Sequence, residues 1–161
     1  MNPFRRRFSR NSDGDYAVRI AEEERDLLEY LVPQLRDLLM ATSPVGEIDP
    51  AARRLFPTAY NEDQKKDVIY QELMRDQLLA ARLDALDVLE ATTRVDRVTD
   101  DQLDSWMNCI NQMRLVLGTR LDVSEEDEPT DMDPEDPNTA AMATYHYLGH
   151  LLGEILDARI R

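Results

Sequence analysis

Leucines recur at helical spacing in the first third of the chain. The repeating positions between residues 22 and 40 are Leu27, Leu28, Leu31, Leu35, Leu38 and Leu39. Apolar residues that return every three or four positions line one face of an α-helix. Three glutamates, Glu22 to Glu24, suit the positive end of the helix dipole. Pro33 removes a backbone hydrogen bond. We therefore predict a helix from about Glu22 to Met40 with a kink at Pro33.

The middle of the chain predicts two further helical segments. Asp49 followed by Pro50 is typical of an N-cap with proline at the first helical position, and Pro57 would end this short helix near Phe56. Apolar residues then repeat at helical spacing between residues 61 and 92: Ile69, Leu73, Leu79, Leu83, Leu86 and Leu89. Because this second segment is longer than most globular helices, it is compatible with one helix or with two.

Two more helices are predicted in the last third. Thr99 and Gln102 form a capping box at the start of the first one. Its apolar side holds Leu103, Trp106, Ile110, Met113, Leu117 and Leu121. Gly118 either lets a neighbouring element approach closely or loosens the last turn. The final helix is expected from about residue 138 to residue 159. Its inward positions are Ala141, Tyr145, Leu148, Leu152 and Ile155.

The first 20 residues alternate with the period of a strand. Residues that would share a face are Phe4, Arg6 and Phe8, and then Tyr16, Val18 and Ile20. Asp13-Gly14 lies between these groups, and glycine supplies the positive φ of a tight turn. We predict a two-stranded β-hairpin over residues 1–20. A lone hairpin is marginal in water, so it must pack on helices or pair with another chain.

These elements predict a mainly all-α fold: a bundle of about five helices with an N-terminal β-hairpin. A chain of 161 residues suits one domain, so residues 1–161 are expected to form a single domain. No apolar run reaches the roughly 18 residues that a membrane helix needs, and no apolar segment follows the N-terminal arginines as it would in a secretory signal. We therefore expect a cytoplasmic protein that does not associate with membranes.

Acidic residues dominate the charge of the chain, which is −14 in total. Nine acids and no bases lie in residues 122–137, together with three prolines, so we predict an acidic, mobile loop there. The loop lacks the ordered spacing of a calcium-binding EF-hand. As a minority alternative, it mimics a nucleic-acid backbone and engages a basic protein. The overall charge makes direct nucleic-acid binding unfavourable without a partner.

Candidate chemistry is sparse. His146 and His150 stand four residues apart on the last helix with Glu154 four further on, which makes the two histidines weak metal candidates; ordinary surface histidines are the alternative. Cys109, the single cysteine, is either a redox-active thiol or a small buried apolar residue. The basic run Arg5 to Arg7 is interpreted as an amphipathic strand whose arginines pair with local carboxylates. We see no nucleophile beside a base, and expect neither enzymatic activity nor a cofactor.

Several segments resemble an actinobacterial family of small acidic proteins of unknown function. They include Glu24 to Leu28, Asp49 to Tyr60, Trp106 to Leu121 and Tyr147 to Gly149, and the Leu-Gly-Thr-Arg-Leu run before an acidic stretch is the most specific. Genes of this family often neighbour those for a Clp protease adaptor and for a sulfur-carrier route to cysteine. Members of the family have been proposed as oxidative-stress-sensing transcriptional regulators that act with a sigma factor.

The resemblance implies a regulatory role through a protein partner, such as a sigma factor or RNA polymerase. A Clp-linked adaptor is the alternative, and an enzyme is the least favoured class. An intrachain disulfide sensor is not implied, because the chain has one cysteine. The family-like cluster Arg114, Gly118, Thr119 and Arg120 is expected to bind a partner or maintain the structure, with Arg120 alternatively bonding the last helix carbonyls. A homodimer is also expected, because the hairpin edge and long helices offer unburied apolar surface.

Overall fold

The computed structural model describes residues 5–41, 50–53, 55, 64–121 and 134–161. In this part of the chain the helices are α1 (Glu22–Ala41), α2 (Pro50–Arg53), α3 (Gln64–Thr92), α4 (Asp100–Arg120) and α5 (Thr139–Ile160). A three-stranded antiparallel sheet contains β1 (Phe8–Arg10), β2 (Tyr16–Val18) and β3 (Arg97–Val98), in that order. The fold is therefore mainly helical, as predicted.

The predicted count of five bundle helices is wrong. Four helices are long, whereas α2 is a single turn that ends at Arg53. The predicted N-cap Asp49 and the predicted end near Phe56 lie outside the described residues. One turn fixes several dihedral angles for very few hydrogen bonds, so it depends on tertiary contacts rather than on its own propensity. The next segment forms one continuous helix, α3, within the described part of residues 61–92. The first helix likewise runs through Pro33, which is exposed.

The N-terminal hairpin is confirmed and is joined by a third strand. Phe8 pairs with Val18 across β1 and β2, and Tyr16 pairs with Val98 across β2 and β3. Gly14 has a φ of +94°, and its amide donates to the Asn11 carbonyl at 3.1 Å. The turn therefore uses a backbone conformation that favours glycine. The two residues of β3 are too few to show an alternating pattern in the sequence.

The core lies where the sheet meets α4. Trp106 is fully buried and packs edge-to-face on Phe8, with ring centroids 6.1 Å apart. Its indole Nε1 donates to Thr92 Oγ1 at 2.8 Å, so the one polar atom of this ring is satisfied at the end of α3. Thr92 in turn donates to the Val88 carbonyl at 2.6 Å. The predicted capping box of Thr99 and Gln102 is also present at the start of α4.

Most of the predicted acidic loop lies outside the described residues. Of residues 122–137, only 134–137 are described, and these four are exposed. Within the described residues, no helix combines the length and the apolar character needed to cross a membrane.

Candidate functional site

Two of the four family-like residues, Arg114 and Gly118, lie where α4 packs on α5. The guanidinium carbon of Arg114 lies 4.7 Å from the centre of the Tyr145 ring, which is a cation–π distance. A Cβ atom at Gly149 would lie 3.1 Å from Arg114 Nε, and one at Gly118 would lie 3.0 Å from Tyr145 Cε2. The two glycines therefore leave room for the stacked pair. Of the two roles considered for Gly118, the structure supports close approach by a neighbour.

Thr119 and Arg120 do not join this pair. Thr119 Oγ1 donates to the Leu115 carbonyl at 2.9 Å, so its hydroxyl is satisfied within its own helix. Arg120 lines a small, largely apolar cavity of about 40 Å³ between α1 and α4, together with leucines such as Leu31 and Leu35. Of the four predicted cluster residues, Arg114 and Gly118 therefore pack at the α4–α5 contact. Thr119 bonds within its own helix, and Arg120 lines the cavity between α1 and α4.

An open cleft adjoins the Arg114–Tyr145 stack. This α4–α5 cleft has a volume of about 400 Å³ and is lined by Arg114, His146, Gly149, His150, Leu152, Gly153 and Leu156. The two candidate histidines therefore do share a face, as their spacing predicted. His150 is exposed, whereas His146 packs edge-to-face on Tyr145, with centroids 5.3 Å apart. Arg114 Nε and His146 Nε2 are buried without a hydrogen-bond partner among the described residues.

Glu154, which the sequence aligned with the two histidines, has a different role. Its carboxylate lies 2.8 Å from the Arg7 guanidinium, and Arg7 also reaches Glu24 of α1 at 2.8 Å. Arg7 thus ties the segment before β1 to α1 and α5. It pairs with carboxylates as predicted, but these come from distant helices and not from nearby residues, and Arg5 to Arg7 precede β1 instead of forming a strand. Beside this cluster, burial raises the pKa of the Tyr147 hydroxyl, and the negative charge of Glu24 raises it further.

The histidine pair gains no third metal ligand in the described part of the chain. Three possible metal-ligating side chains do come together elsewhere in the described residues, at the start of α4. They are Asp100, Asp101 and Asp104, whose potential ligand atoms lie within 4.8 Å of one another. Arg159 already pairs with Asp100, at 3.2 Å, and with Asp104. Carboxylates at a helix N-terminus are also stabilised by the helix dipole. These contacts explain the acidic cluster without a metal ion.

Cys109 lies on the other side of α4, against α3. Its side chain is 0% exposed. Burial raises the pKa of the Cys109 thiol to about 12, although the nearby Arg82 guanidinium acts in the opposite direction. The reactive form of cysteine is the thiolate. In this folded state the thiol therefore stays protonated at neutral pH and is shielded from solvent, which fits a small apolar core residue better than a redox centre.

The sequence did not identify Tyr145 as the partner of Arg114. Tyr145 was assigned to the inward face of the last helix, and Gly149 was noted only within a matching segment. The available signal was Gly118 in the last turn of one predicted helix and Gly149 within the other, because glycine in a helix costs about 1 kcal/mol relative to alanine. Such residues suggest a close contact, but which ring or cation fills the space depends on how the helices cross.

A relative from Mycobacterium leprae is named "Putative oxidative stress regulator AosR". The two sequences are 28% identical over 149 residues, and the match covers 65% of this chain and 64% of the relative. The chain thus aligns with less than two-thirds of the length of that protein. No solved structure matches this chain.

A family match extends over nearly the whole chain. Residues 1–159 match the family described as "Domain of unknown function (DUF2017)". This match includes the Arg114–Tyr145 stack and every residue that lines the α4–α5 cleft. The chain belongs to the DUF2017 family.

Proposed function

We propose that this chain is a non-enzymatic regulator that acts through a protein partner in the transcriptional response to oxidative stress. The observation that carries the proposal is the name of the mycobacterial relative, which describes an oxidative stress regulator. The preferred partner is a sigma factor or RNA polymerase. The acidic charge of the chain, −14, disfavours direct contact with nucleic acid and so supports a protein as the partner.

The α4–α5 cleft is the proposed docking surface. The cleft contains hydrogen-bond donors or cationic groups from Arg114, His146 and His150, although the chain as a whole is strongly acidic. Leu156 is 44% exposed at the edge of the cleft, and Ile160 is 83% exposed one turn further on. Protein interfaces are enriched in arginine and in apolar anchors surrounded by polar groups. Gly153, whose Cβ position has no atom within 4 Å, also allows a partner backbone to approach α5 closely.

The burial of Cys109 affects how an oxidant would act. A buried, protonated thiol reacts slowly with peroxide, because oxidation follows thiolate character and exposure. The proposal therefore places the redox-sensitive step in the partner or in the complex, and not at Cys109 of the isolated chain. On this basis Cys109→Ser leaves the response of the complex to peroxide unchanged.

The test is affinity capture from native lysate, with and without peroxide, read by mass spectrometry. The bait is the tagged full chain, compared with a cleft variant that carries His150→Glu and Leu156→Asp. Met40→Asp is the matched control, because Met40 is exposed on α1 and does not line the cleft. We expect a sigma factor or polymerase subunits to be enriched by the wild type and the control and to be depleted by the cleft variant.

Other results would contradict the proposal. Capture of Clp components, unaffected by peroxide, would favour the adaptor function. Capture of a sigma factor by both the wild type and the cleft variant would retain the function but reject this docking surface. A homodimer is proposed as a second use of the exposed apolar residues, and light scattering that shows a monomer at micromolar concentrations would exclude it.

A further inference from the structure

The N-terminal hairpin segment is positively charged, although the chain as a whole is strongly acidic. Residues 5–20 contain five arginines and two aspartates, a net charge of +3, whereas the whole chain carries −14. None of these residues lines the α4–α5 cleft. The contacts of each charged side chain show whether this positive charge is used within the protein or is available to a partner.

The two aspartates of the hairpin do not neutralise its arginines. Asp13 and Asp15 both pair with Arg97 of β3, the latter at 2.9 Å. Arg7 is also engaged, because it pairs with one carboxylate of α1 and one of α5. The acids nearest to the remaining hairpin arginines are therefore already occupied by a cation from another strand.

Four arginines of the hairpin segment form no ion pair within the described part of the chain: Arg5, Arg6, Arg10 and Arg19. The first three are exposed, and Arg19 is partly exposed. By contrast, Arg94 pairs with three carboxylates at the surface. Acids outnumber lysines and arginines by 33 to 19 on this chain, so four neighbouring cations without an acidic partner stand out. We call these four arginines the hairpin patch.

Arg19 is held in position by its neighbours. Its Nη1 atom donates to Ser9 Oγ at 2.7 Å and lies 3.5 Å from the Arg6 carbonyl oxygen. A guanidinium has five N–H donors in a planar fork, so most of its donors are still available to a ligand. A carboxylate can accept two parallel bonds from such a fork. Because Ser9 already restrains the side chain, less conformational entropy is lost when a ligand binds.

An open face of the sheet lies beside the hairpin patch. Ser9, Ala17 and Arg97 form one row across the three strands, and none of them is buried. Phe8 and Tyr16, which alternate with them, are buried in the core. Alternate residues of a strand point to opposite faces of a sheet. The face that carries Ser9 is therefore open to solvent, and the small side chain of Ala17 leaves room for a polypeptide to lie across it.

The burial of the hairpin aromatics distinguishes between two kinds of anionic partner. Single-stranded nucleic acid binds basic surfaces that also offer aromatic rings for base stacking. Phe8 and Tyr16 are each 1% exposed, so the described hairpin offers no ring to a base. A longer duplex would meet the strongly acidic remainder of the chain, which repels a phosphate backbone. A short acidic peptide is complementary in charge to the hairpin patch and needs no stacking.

We infer that the hairpin patch, together with the open sheet face, binds an acidic segment of a partner protein, with Arg6 and Arg19 pairing with its carboxylates. This surface is separate from the α4–α5 cleft and does not depend on what the cleft binds. It gives the basic run at the start of the chain a role that contacts within the described residues do not supply.

The probe is a fluorescein-labelled peptide that alternates glutamate and serine, and the reference peptide has glutamine in place of glutamate. Binding to the full chain is measured by fluorescence anisotropy at physiological ionic strength. We expect the glutamate peptide alone to bind, and Arg6→Gln with Arg19→Gln to weaken its binding by about tenfold, because two charge-assisted contacts are lost. Arg36→Gln with Arg94→Gln is the matched control. It removes the same charge from arginines that already pair with carboxylates, and the affinity should stay within about twofold of the wild type.

Further variants separate binding from folding. Ser9→Glu keeps every arginine but places a carboxylate next to Arg19, so it should compete with the peptide and weaken its binding. Ser105→Glu adds the same charge on α4 and should leave binding intact. Arg5→Gln with Arg6→Gln changes two exposed residues that precede β1, and it should weaken binding at an unchanged melting temperature.

Three results would overturn the inference. The first is equal binding of the glutamate and glutamine peptides, which would show that charge does not recognise the ligand. The second is an equal loss of affinity in the Arg36 and Arg94 control, which would show that net charge and not the hairpin patch is responsible. The third is tighter binding of a single-stranded oligonucleotide than of the glutamate peptide, which would assign the patch to nucleic acid.

Discussion

The Arg25 guanidinium lies 3.0 Å from the Asp96 carboxylate, and the two side chains differ greatly in exposure: 4% for Arg25 and 91% for Asp96. Arg25 also donates to the main-chain carbonyls of Thr93 and Val95, the latter at 3.0 Å. A buried arginine of α1 therefore organises the turn that leads from α3 into β3. Its two backbone acceptors lie in the turn, whereas its ion pairs are with two exposed carboxylates, Asp96 and, at 3.9 Å, Glu22.

The first prediction follows from this asymmetry. Arg25→Met should lower the free energy of unfolding by about 2–4 kcal/mol, because carbonyls of the turn lose their donor in a buried setting. Asp96→Asn should cost less than about 1 kcal/mol, because an exposed ion pair contributes little. Urea unfolding of both variants provides the measurement. Equal losses would show that the ion pair, and not the backbone bonding, holds the turn.

The second prediction concerns the glycines of the α4–α5 contact. Gly153→Ala should stabilise the protein by up to about 1 kcal/mol, since no atom lies within 4 Å of the added Cβ and alanine favours the helix. Gly118→Ala should gain less or lose stability, because the Tyr145 ring must shift. Gly149→Ala should fall between them, since the flexible Arg114 side chain can yield. Urea unfolding of the three variants measures the order, and equal gains would exclude close packing at Gly118.

Much of the fold was accessible from the sequence because its signals are local. The leucine spacing of α1, the capping box at Thr99 and the turn at Gly14 each act within a few residues, and each is present. The extra strand β3 was missed because it is two residues long and forms only by pairing with β2. The length of α2 was overestimated, because the two prolines only limit where a helix can begin and end, and α2 already ends at Arg53.

The candidate site was less accessible, because it depends on contacts between distant residues. The spacing of His146 and His150 correctly placed both on one face. It could not show that Glu154 turns to Arg7, which is 147 positions away in the chain. Nothing in the sequence pattern predicted that Gln112 is buried, because an amide within a helix is usually exposed. Its burial depends on how α3 packs against α4.

The third prediction concerns the start of α4. Thr99→Ala removes the side chain that accepts from the Gln102 amide, so the free energy of unfolding should fall by about 1 kcal/mol. The matched control is Thr144→Ala within α5, where the hydroxyl bonds only the Ala140 carbonyl of the preceding turn. That control should be neutral or slightly stabilising, because alanine is the better helix former. Chemical unfolding separates the two, and equal effects would contradict a capping role.

The fourth prediction tests the burial of Cys109 through the pH dependence of stability. The pKa of this thiol rises from 9.0 to about 12 on folding, mainly because of burial. The unfolded chain therefore loses this proton at a lower pH than the folded chain does. The contribution of the protonated thiol is complete below pH 9 and disappears between pH 9 and 12. Within that window it falls by up to about 1.4 kcal/mol per pH unit.

Cys109→Ala isolates this contribution, because the other titrating groups, including Tyr147, are common to both proteins. The stability of the wild type relative to Cys109→Ala should be constant from pH 6 to about 8.5 and then decline as the pH rises. In parallel, a thiol reagent at pH 8 should label native Cys109 no faster than the protein opens. Rapid labelling of the native protein, or a flat stability difference up to pH 11, would mean that the thiol is accessible and would return Cys109 to the candidates for direct oxidation.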